Sequence, residues 1–328
     1  MPKKMLTASE IGILWTQYVQ NSMALPILEY FQQTTEDKDI KPLITLAKEI
    51  AEKGLENCKH FFEEADLPVP HGYSLDDLNP NAPKLFTDSF MLVFLEHMGQ
   101  VGLTSDGVSL SVSAREDIRE FFTAKVKQQS QLYNGCVNTA LNKGLYTRSP
   151  QVAIQQPLEY VQGKSYLHPF NKRSLNTIEI THLFENVKNN ALGEIVCQAF
   201  GQTTKNKTVK NFMQKGKKLS IKHRKLFANI LDQSGITVPM TSASWVTTKT
   251  DPVFSDRLML YIISVLSSSG QGNYAGGASS SLRYDIVFTY QRLAIEIAIY
   301  AKDGMDIMIN NGWFEEPPQA PDLQKLIQ

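Results

Sequence analysis

Cysteine is scarce in this sequence of 328 residues, which contains only Cys58, Cys136 and Cys197 and has no CxxC pair. Cysteines this sparse and this far apart form neither a disulfide framework nor a closed zinc site. Their scarcity excludes the small disulfide-stabilised classes and favours a reducing compartment. We therefore expect a cytoplasmic protein.

Long apolar runs are also missing. The longest candidates, residues 258–266 and 293–300, are interrupted by serine or glutamate, whereas a transmembrane helix needs about 20 consecutive apolar residues. The residues that follow Met1 are mixed in polarity and do not form the apolar core of a signal peptide. We expect a soluble protein that has no membrane partner.

Net charge is absent as well, because 33 Lys and Arg residues balance 33 Asp and Glu residues. A large nucleic-acid interface needs a surplus of Lys and Arg to displace counterions, so we do not expect nucleic acid as a partner. The basic residues are nevertheless concentrated in residues 205–225. We interpret this segment as the solvated face of one helix, with an anionic partner as the open alternative.

An internal repeat is the strongest positive signal. Residues 31–41 align with residues 200–210 at an offset of 169, and six of the eleven positions are identical. After a slip of one residue in a loop, an offset of 168 aligns the pair Arg115 and Asp117 with Arg283 and Asp285. A repeat of this length indicates a tandem duplication. It predicts three parts: a first module at 1–150, a connecting strap at 151–175 and a second module at 176–328.

Each module has the pattern of four long helices. Capping boxes mark the first helix of each module, at Thr7 with Glu10 and at Asn176 with Glu179. Apolar residues then recur at helical spacing, while the proline-containing segments 66–85 and 235–253 are not helical. A long crossover between the second and third helices is typical of ferritin-like topology. We predict an all-α fold of two tandem ferritin-like four-helix bundles with long crossover loops.

Short blocks along almost the whole chain carry a family resemblance. They include Pro70-His71-Gly72-Tyr73, Asn81-Ala82-Pro83-Lys84-Leu85-Phe86-Thr87-Asp88, Arg115-Glu116-Asp117-Ile118 and Gly312-Trp313-Phe314-Glu315-Glu316-Pro317-Pro318. With these blocks the chain resembles a tandem ferritin-like family of uncharacterised proteins from spore-forming bacilli. The resemblance implies two ferritin-like bundles, a link to sporulation and, for some relatives, the label of spore coat protein. It implies no activity and no catalytic residues.

The ferritin-like pattern raises the question of a metal. A di-iron centre needs a Glu from each of two helices and an ExxH motif from each of the others, but the sequence offers only Glu179-Ile180-Thr181-His182, on a first helix. A smaller iron or zinc site could combine His182 and His223 with Glu179, or with Glu185 in its place. In the other interpretation, His223 is a core histidine satisfied by a hydrogen bond and His182 lies at the core boundary.

Small residues are concentrated in residues 267–281, which contain Gly270-x-Gly272-x-x-Ala275. A dinucleotide-binding turn would require a βαβ unit. The aligned segment 99–113 lacks the fingerprint although it joins equivalent helices, so we exclude that interpretation. Close helix packing, a flexible break in the helix and space for a small apolar ligand remain open.

The turn between the third and fourth helices carries a charge pair in each module, Arg115 with Asp117 and Arg283 with Asp285. We predict local ion pairs or contacts between the modules rather than catalytic groups.

No complete active-site arrangement appears in the sequence. We therefore predict a non-catalytic structural or interaction protein, with a sporulation link implied by the resemblance. We predict no enzyme activity and no cofactor, and we expect protein partners or self-association. The alternative is an iron- or zinc-binding bundle with a weak redox or storage role.

Overall fold

The computed structural model describes residues 5–154, 159–170, 173–236, 238 and 245–321. Within them the chain forms eight long helices, which confirms the all-α prediction and its two groups of four. Their bounds are α1 Ala8–Thr34, α2 Lys41–Glu64, α3 Asp88–Ser111, α4 Glu116–Asn142, α5 Thr177–Thr203, α6 Lys207–Asp232, α7 Asp256–Ser280 and α8 Tyr284–Asn310.

Both predicted capping boxes are confirmed at the first helix of each group. Glu10 N–H donates to Thr7 Oγ1 at 3.3 Å, and Thr7 N–H donates to Glu10 Oε2 at 2.8 Å. In the second group, Glu179 N–H donates to Asn176 Oδ1 at 2.8 Å and Asn176 N–H donates to Glu179 Oε2 at 3.1 Å. Each box satisfies backbone donors that have no partner inside the helix.

The predicted long crossovers separate α2 from α3 and α6 from α7. The first contains only a short 3₁₀ helix, Leu75–Asp77, within its described residues. It passes close to α1 at Gly72, where φ is +61° and an added Cβ would lie 2.4 Å from Ser22 Oγ. Both the backbone conformation and the close approach require glycine here.

The chain divides into two compact units, which we call the first and second units. The first comprises Met1–Pro80, Met91–Lys143 and Gly312–Gln328, and the second comprises Asn81–Phe90 and Gly144–Asn311. Residues 81–90 are the end of the first crossover and the start of α3, and they belong to the second unit. There Phe86 forms an isolated antiparallel bridge with Val246. Because these units follow contacts rather than chain order, the boundaries 1–150, 151–175 and 176–328 stay predictions.

Each unit has its own apolar core. In the first, Leu14, Cys58, Phe62, Ile118 and Phe122 are buried together. In the core of the second, Phe227 packs edge-on to Tyr274 at 5.2 Å and is tilted against Tyr290 at 5.1 Å between ring centroids. No helix of the described residues is both long enough and apolar enough to cross a membrane.

Candidate functional site

A cluster of polar side chains lies inside the first unit, where apolar packing would be expected. The Lys125 ammonium donates to Gln17 Oε1 at 2.9 Å and to Asn21 Oδ1 at 3.3 Å, and it lies 3.7 Å from Asp106 Oδ1. Gln17 Nε2 also donates to Asp106 Oδ1 at 2.7 Å. All four residues are buried, and the three contacts of the ammonium lie within this buried network.

All four helices of the first unit meet at this cluster. Gln17 and Asn21 come from α1, Asp106 from α3 and Lys125 from α4. From α2 comes Gly54, where an added Cβ would lie 2.8 Å from Asn21 Cγ. The glycine therefore makes room for the amide that accepts from the ammonium.

Burial and the nearby positive charge shift the pKa of Asp106 in opposite directions. Removal from water raises the pKa of its carboxyl above the ordinary value, against the positive charge of Lys125 and hydrogen bonds from Gln129 and Gln17, and the net shift is upward. The ion pair is therefore costly to bury, and its stability depends on the contact with Lys125.

The second unit has a polar layer at the corresponding positions. The repeat pairs Gln17 with Asn186, Asn21 with Asn190, Gly54 with His223, Asp106 with Tyr274 and Lys125 with Leu293. The Asn190 amide donates to Tyr274 Oη at 2.8 Å, and His223 Nδ1 lies 3.0 Å from the same oxygen. An uncharged network thus replaces the ion pair of the first unit.

His223 bridges the inside and the edge of this layer. The ring is fully buried, and its Nε2 lies 3.0 Å from Glu296 Oε2. Burial lowers the pKa of His223 below its ordinary value, and the nearby Glu296 only partly offsets this. A neutral imidazole can donate through one nitrogen and accept through the other, which suits a position between a hydroxyl and a carboxylate.

The three residues predicted for a metal site have different surroundings. His223 is buried in the polar layer, His182 is half-buried, and Glu179 is fully buried at the start of α5. The Glu179 carboxylate accepts from both terminal nitrogens of Arg173, at 2.8 and 2.9 Å. Among the residues that the structure describes, no three His, Cys, Asp or Glu side chains are grouped so that they could hold a metal ion. The site of His182, His223 and Glu179 stays a prediction.

The donors in the two layers do not fit the di-iron centre that a ferritin-like fold implies. Such a centre needs carboxylates and histidines from four helices at one depth. The first layer offers one carboxylate, Asp106, which is already paired with Lys125. The second offers His223, with Glu296 at its edge. The remaining positions of the two layers hold amides, a phenol, an ammonium, Gly54 and Leu293, none of which adds a carboxylate or an imidazole.

A groove between α2 and α4 reaches the cluster of the first unit. It has a volume of about 430 Å³, and Gly54, His60, Phe61, Phe121 and Lys125 are among the residues that line it. In the second unit His223 takes the place of Gly54. One structural difference between the two layers is therefore that the first has no side chain at this position.

The segment of small residues in the second unit is helical up to Ser280, since α7 runs unbroken from Asp256 to Ser280, and Ser281 is its C-cap. This excludes both the dinucleotide-binding turn and the flexible break. At Gly277 an added Cβ would lie 2.5 Å from Cζ of the buried Tyr290, whereas at the exposed Gly272 it would meet no atom within 4 Å. Close packing therefore explains Gly277, while the small apolar ligand stays a prediction.

These two glycines form a matched pair for mutagenesis. We expect Gly277→Ala to lower the free energy of unfolding by about 1–3 kcal/mol, because the methyl group would overpack the core. Gly272→Ala should raise it by about 0.5–1 kcal/mol, because alanine restricts the unfolded chain without a clash. Urea unfolding of both variants measures the difference. Equal effects at the two positions would contradict the packing role of Gly277.

The charge pairs at the α3–α4 and α7–α8 turns are local, as predicted. Arg115 Nη2 lies 2.8 Å from Asp117 Oδ2, and Arg283 Nη2 lies 2.7 Å from Asp285 Oδ2. The capping glutamates complete each turn. Glu10 Oε1 accepts from Arg115 N–H at 2.8 Å, and Glu179 Oε1 accepts from Arg283 N–H at 3.0 Å.

Several cations of the basic helix α6 have partners within the second unit. Lys222 pairs with Glu296 at 2.7 Å, Arg224 pairs with Glu194 at 3.0 Å, and Lys215 pairs with Asp303. These ion pairs reduce the charge that α6 presents to solvent. They support the interpretation of α6 as a solvated helical face.

Sequence reasoning missed the cluster around Lys125. One signal was available, because Lys125 lies seven residues after Ile118, three after Phe122 and seven before Leu132, on the apolar stripe of α4. A lysine in such a stripe must find buried partners. Its partners lie on other helices, however, and no sequence spacing identifies them.

The family described as "Protein of unknown function (DUF3231)" matches residues 1–158 and again residues 168–326, which confirms the duplication. The comparison with curated proteins finds no match. Among solved structures, the crystal structure of a "putative spore coat protein" from Bacillus halodurans C-125 is similar at 21% sequence identity and a TM-score of 0.39. The similarity covers 46% of this chain and 98% of that one.

Proposed function

Because the chain belongs to the DUF3231 family, whose description assigns no function, we propose from its own side chains that it is a non-catalytic structural or interaction protein. The observation that carries this proposal is the position of Lys125. Its ammonium lies where the four helices of the first unit meet, and Gln17, Asn21 and Asp106 all contact it. An ammonium has three donors and no acceptor, so at this point it fills the core and provides no metal ligand.

The second unit supports the same proposal by a different route. Its layer shares the position but not the chemistry, since Tyr274 contacts Asn190 and His223 and the second ring nitrogen of His223 lies against Glu296. A shared reaction would require the same chemical groups in both copies, whereas a packing role does not. The sporulation link rests on the sequence resemblance and stays a prediction.

Metal analysis of the full chain, purified without an affinity tag, tests the proposal against the iron- or zinc-binding alternative. We expect far less than one iron or zinc ion per chain, and no rise in thermal stability when either ion is added. Stoichiometric metal that is lost in His223→Ala but kept in His71→Ala would overturn the proposal. The exposed His71 provides the matched control.

A further inference from the structure

One face of α8 is apolar and exposed along the whole helix. Phe288, Ile295, Ile299 and Ile309 are each 55–62% exposed, and Tyr284 and Met305 are 47% and 42% exposed. Five of these six follow a heptad, with Phe288, Ile295 and Ile309 at one core position and Tyr284 and Met305 at the other. Lys302, Gln291 and Ala298 fill the remaining core positions, and Ile299 lies beside them. We call this face the α8 seam. A seam with this period is suited to packing against another helix.

The equivalent helix of the first unit lacks the first part of this seam. At the offset of 168, α4 presents Glu116, Glu120, Lys127 and Ser130 where the α8 seam presents Tyr284, Phe288, Ile295 and Ala298. At the end of the helix, Val137 and Leu141 correspond to Met305 and Ile309 and are apolar in both copies. A continuous apolar seam is therefore specific to the second copy.

Two copies of the seam that run in opposite directions are complementary to each other. In an antiparallel pair centred between Glu296 and Ile297, four layers form: Phe288 with Met305, Ile295 with Ala298, Ile309 with Tyr284, and Lys302 with Gln291. The polar residues of the seam thus meet each other, and apolar residues fill the remaining layers. An isologous two-fold contact has this self-complementary order.

The seam is also large enough for a specific contact. With roughly 100 Å² of exposed surface on each of its six large side chains, two copies would bury about 1,200 Å², which is at the lower end of the range for stable interfaces. A charged edge accompanies it, because Arg292 in the first half and Asp306 in the second are exposed on the same side. In the antiparallel order Arg292 of one copy and Asp306 of the other are five residues apart along the axis, about 7.5 Å, and Asp306 also pairs with Lys302 of its own chain at 2.6 Å.

We propose that the α8 seam joins two copies of this chain in an antiparallel, two-fold contact. This inference rests on the proposed function, since it names a second copy as the partner of an interaction protein. The contact leaves the Lys125 cluster and the polar layer of the second unit inside their own bundles.

Sedimentation velocity of the full chain tests the contact. We expect a species of twice the 36.9 kDa chain mass that dissociates at least tenfold more readily in Ile295→Glu and Ile299→Glu. Val108→Glu provides the matched control, because Val108 is a similarly exposed apolar residue on another helix. A monomeric wild-type chain, or a dimer that Ile295→Glu leaves unchanged, would overturn the proposal.

Oxidative cross-linking tests the antiparallel register. The variant with both Phe288→Cys and Met305→Cys should form a disulfide-linked dimer, whereas neither single variant should. The two positions are 17 residues apart on one helix, about 25 Å, so they cannot pair within a chain. The natural cysteines Cys58, Cys136 and Cys197 are buried and should not compete. A cross-link from Phe288→Cys alone would contradict the antiparallel order.

The two proposals fail separately. A metal-free monomer would overturn the α8 contact and leave the non-catalytic function intact. A dimer that contains stoichiometric iron or zinc would overturn the proposed function and leave the contact intact.

Discussion

Replacing Lys125 with methionine should lower the free energy of unfolding of the first unit by about 3–5 kcal/mol, the usual cost of breaking a buried ion pair from one side. The variant leaves the Asp106 carboxylate buried without its cation, and it removes the donor that Gln17 and Asn21 share. Hydrogen exchange of peptides from α1–α4 measures the loss within this unit. Peptides from α5–α8 serve as the internal reference.

The pH dependence of the stability lost in Lys125→Met distinguishes this charge effect from a simple packing defect. The positive charge of Lys125 opposes the upward shift in the pKa of Asp106, so that pKa should rise further in the variant. A carboxyl whose pKa is higher in the folded than in the unfolded state gains its proton first in the folded state. The deficit relative to wild type should therefore shrink as the pH falls from 7 through the raised pKa.

Two further variants complete the test of this ion pair. Lys127→Met removes an exposed lysine from the same helix, and we expect a change within about 0.5 kcal/mol. Lys125→Met combined with Asp106→Asn removes both charges and should recover part of the loss. A deficit that is constant with pH and is not recovered in the double variant would contradict the ion-pair explanation.

Local signals explain why much of the fold could be predicted. The capping boxes at Thr7 and Asn176 involve residues three apart, and the pair Arg283–Asp285 involves residues two apart. At such distances the sequence alone determines which groups meet. The long crossovers followed in the same way from prolines that cannot continue a helix.

The polar layers could not be predicted, because their contacts join distant parts of the chain. Gln17 and Lys125 are 108 residues apart, and Asn190 and Tyr274 are 84 apart. Which polar residue of each stripe faces another depends on how the helices rotate and slide against one another. The sequence placed His223 on the core stripe but gave no basis for pairing it with Tyr274 and Glu296.

Replacing Glu179 with glutamine should destabilise the second unit by about 3–5 kcal/mol, since it leaves the Arg173 guanidinium without its buried counter-charge. Glu179 links three segments: it caps α5, it accepts from Arg173 at 2.8 and 2.9 Å, and it accepts from the N–H groups of Leu282 and Arg283 at 3.0 Å each. Glutamine keeps one acceptor oxygen, but its amide nitrogen would face donors. Hydrogen exchange of peptides from α5–α8 measures the loss.

The pKa of Glu179 makes the same contact sensitive to acid. Burial alone raises this pKa, but hydrogen bonds from Arg173 and from the backbone of Asn176 and Arg283 outweigh it and hold the pKa below its ordinary value of 4.5. A carboxylate with a lowered folded-state pKa contributes stability above 4.5 that is lost as the pH falls through the lowered value. The wild-type second unit should therefore lose more stability on acidification than Glu179→Gln does.

A control on the same helix separates this contact from a general effect of charge. Glu185 is half-buried on α5 and pairs with Lys188 at 3.5 Å. Because i,i+3 ion pairs on the surface of a helix contribute little, Glu185→Gln should change the free energy of unfolding by less than about 0.5 kcal/mol. If the two glutamine variants were equally stable, Glu179 would be no more than a helix cap. A large difference confined to α5–α8 would instead identify it as the carboxylate that fixes the α7–α8 turn to the start of α5.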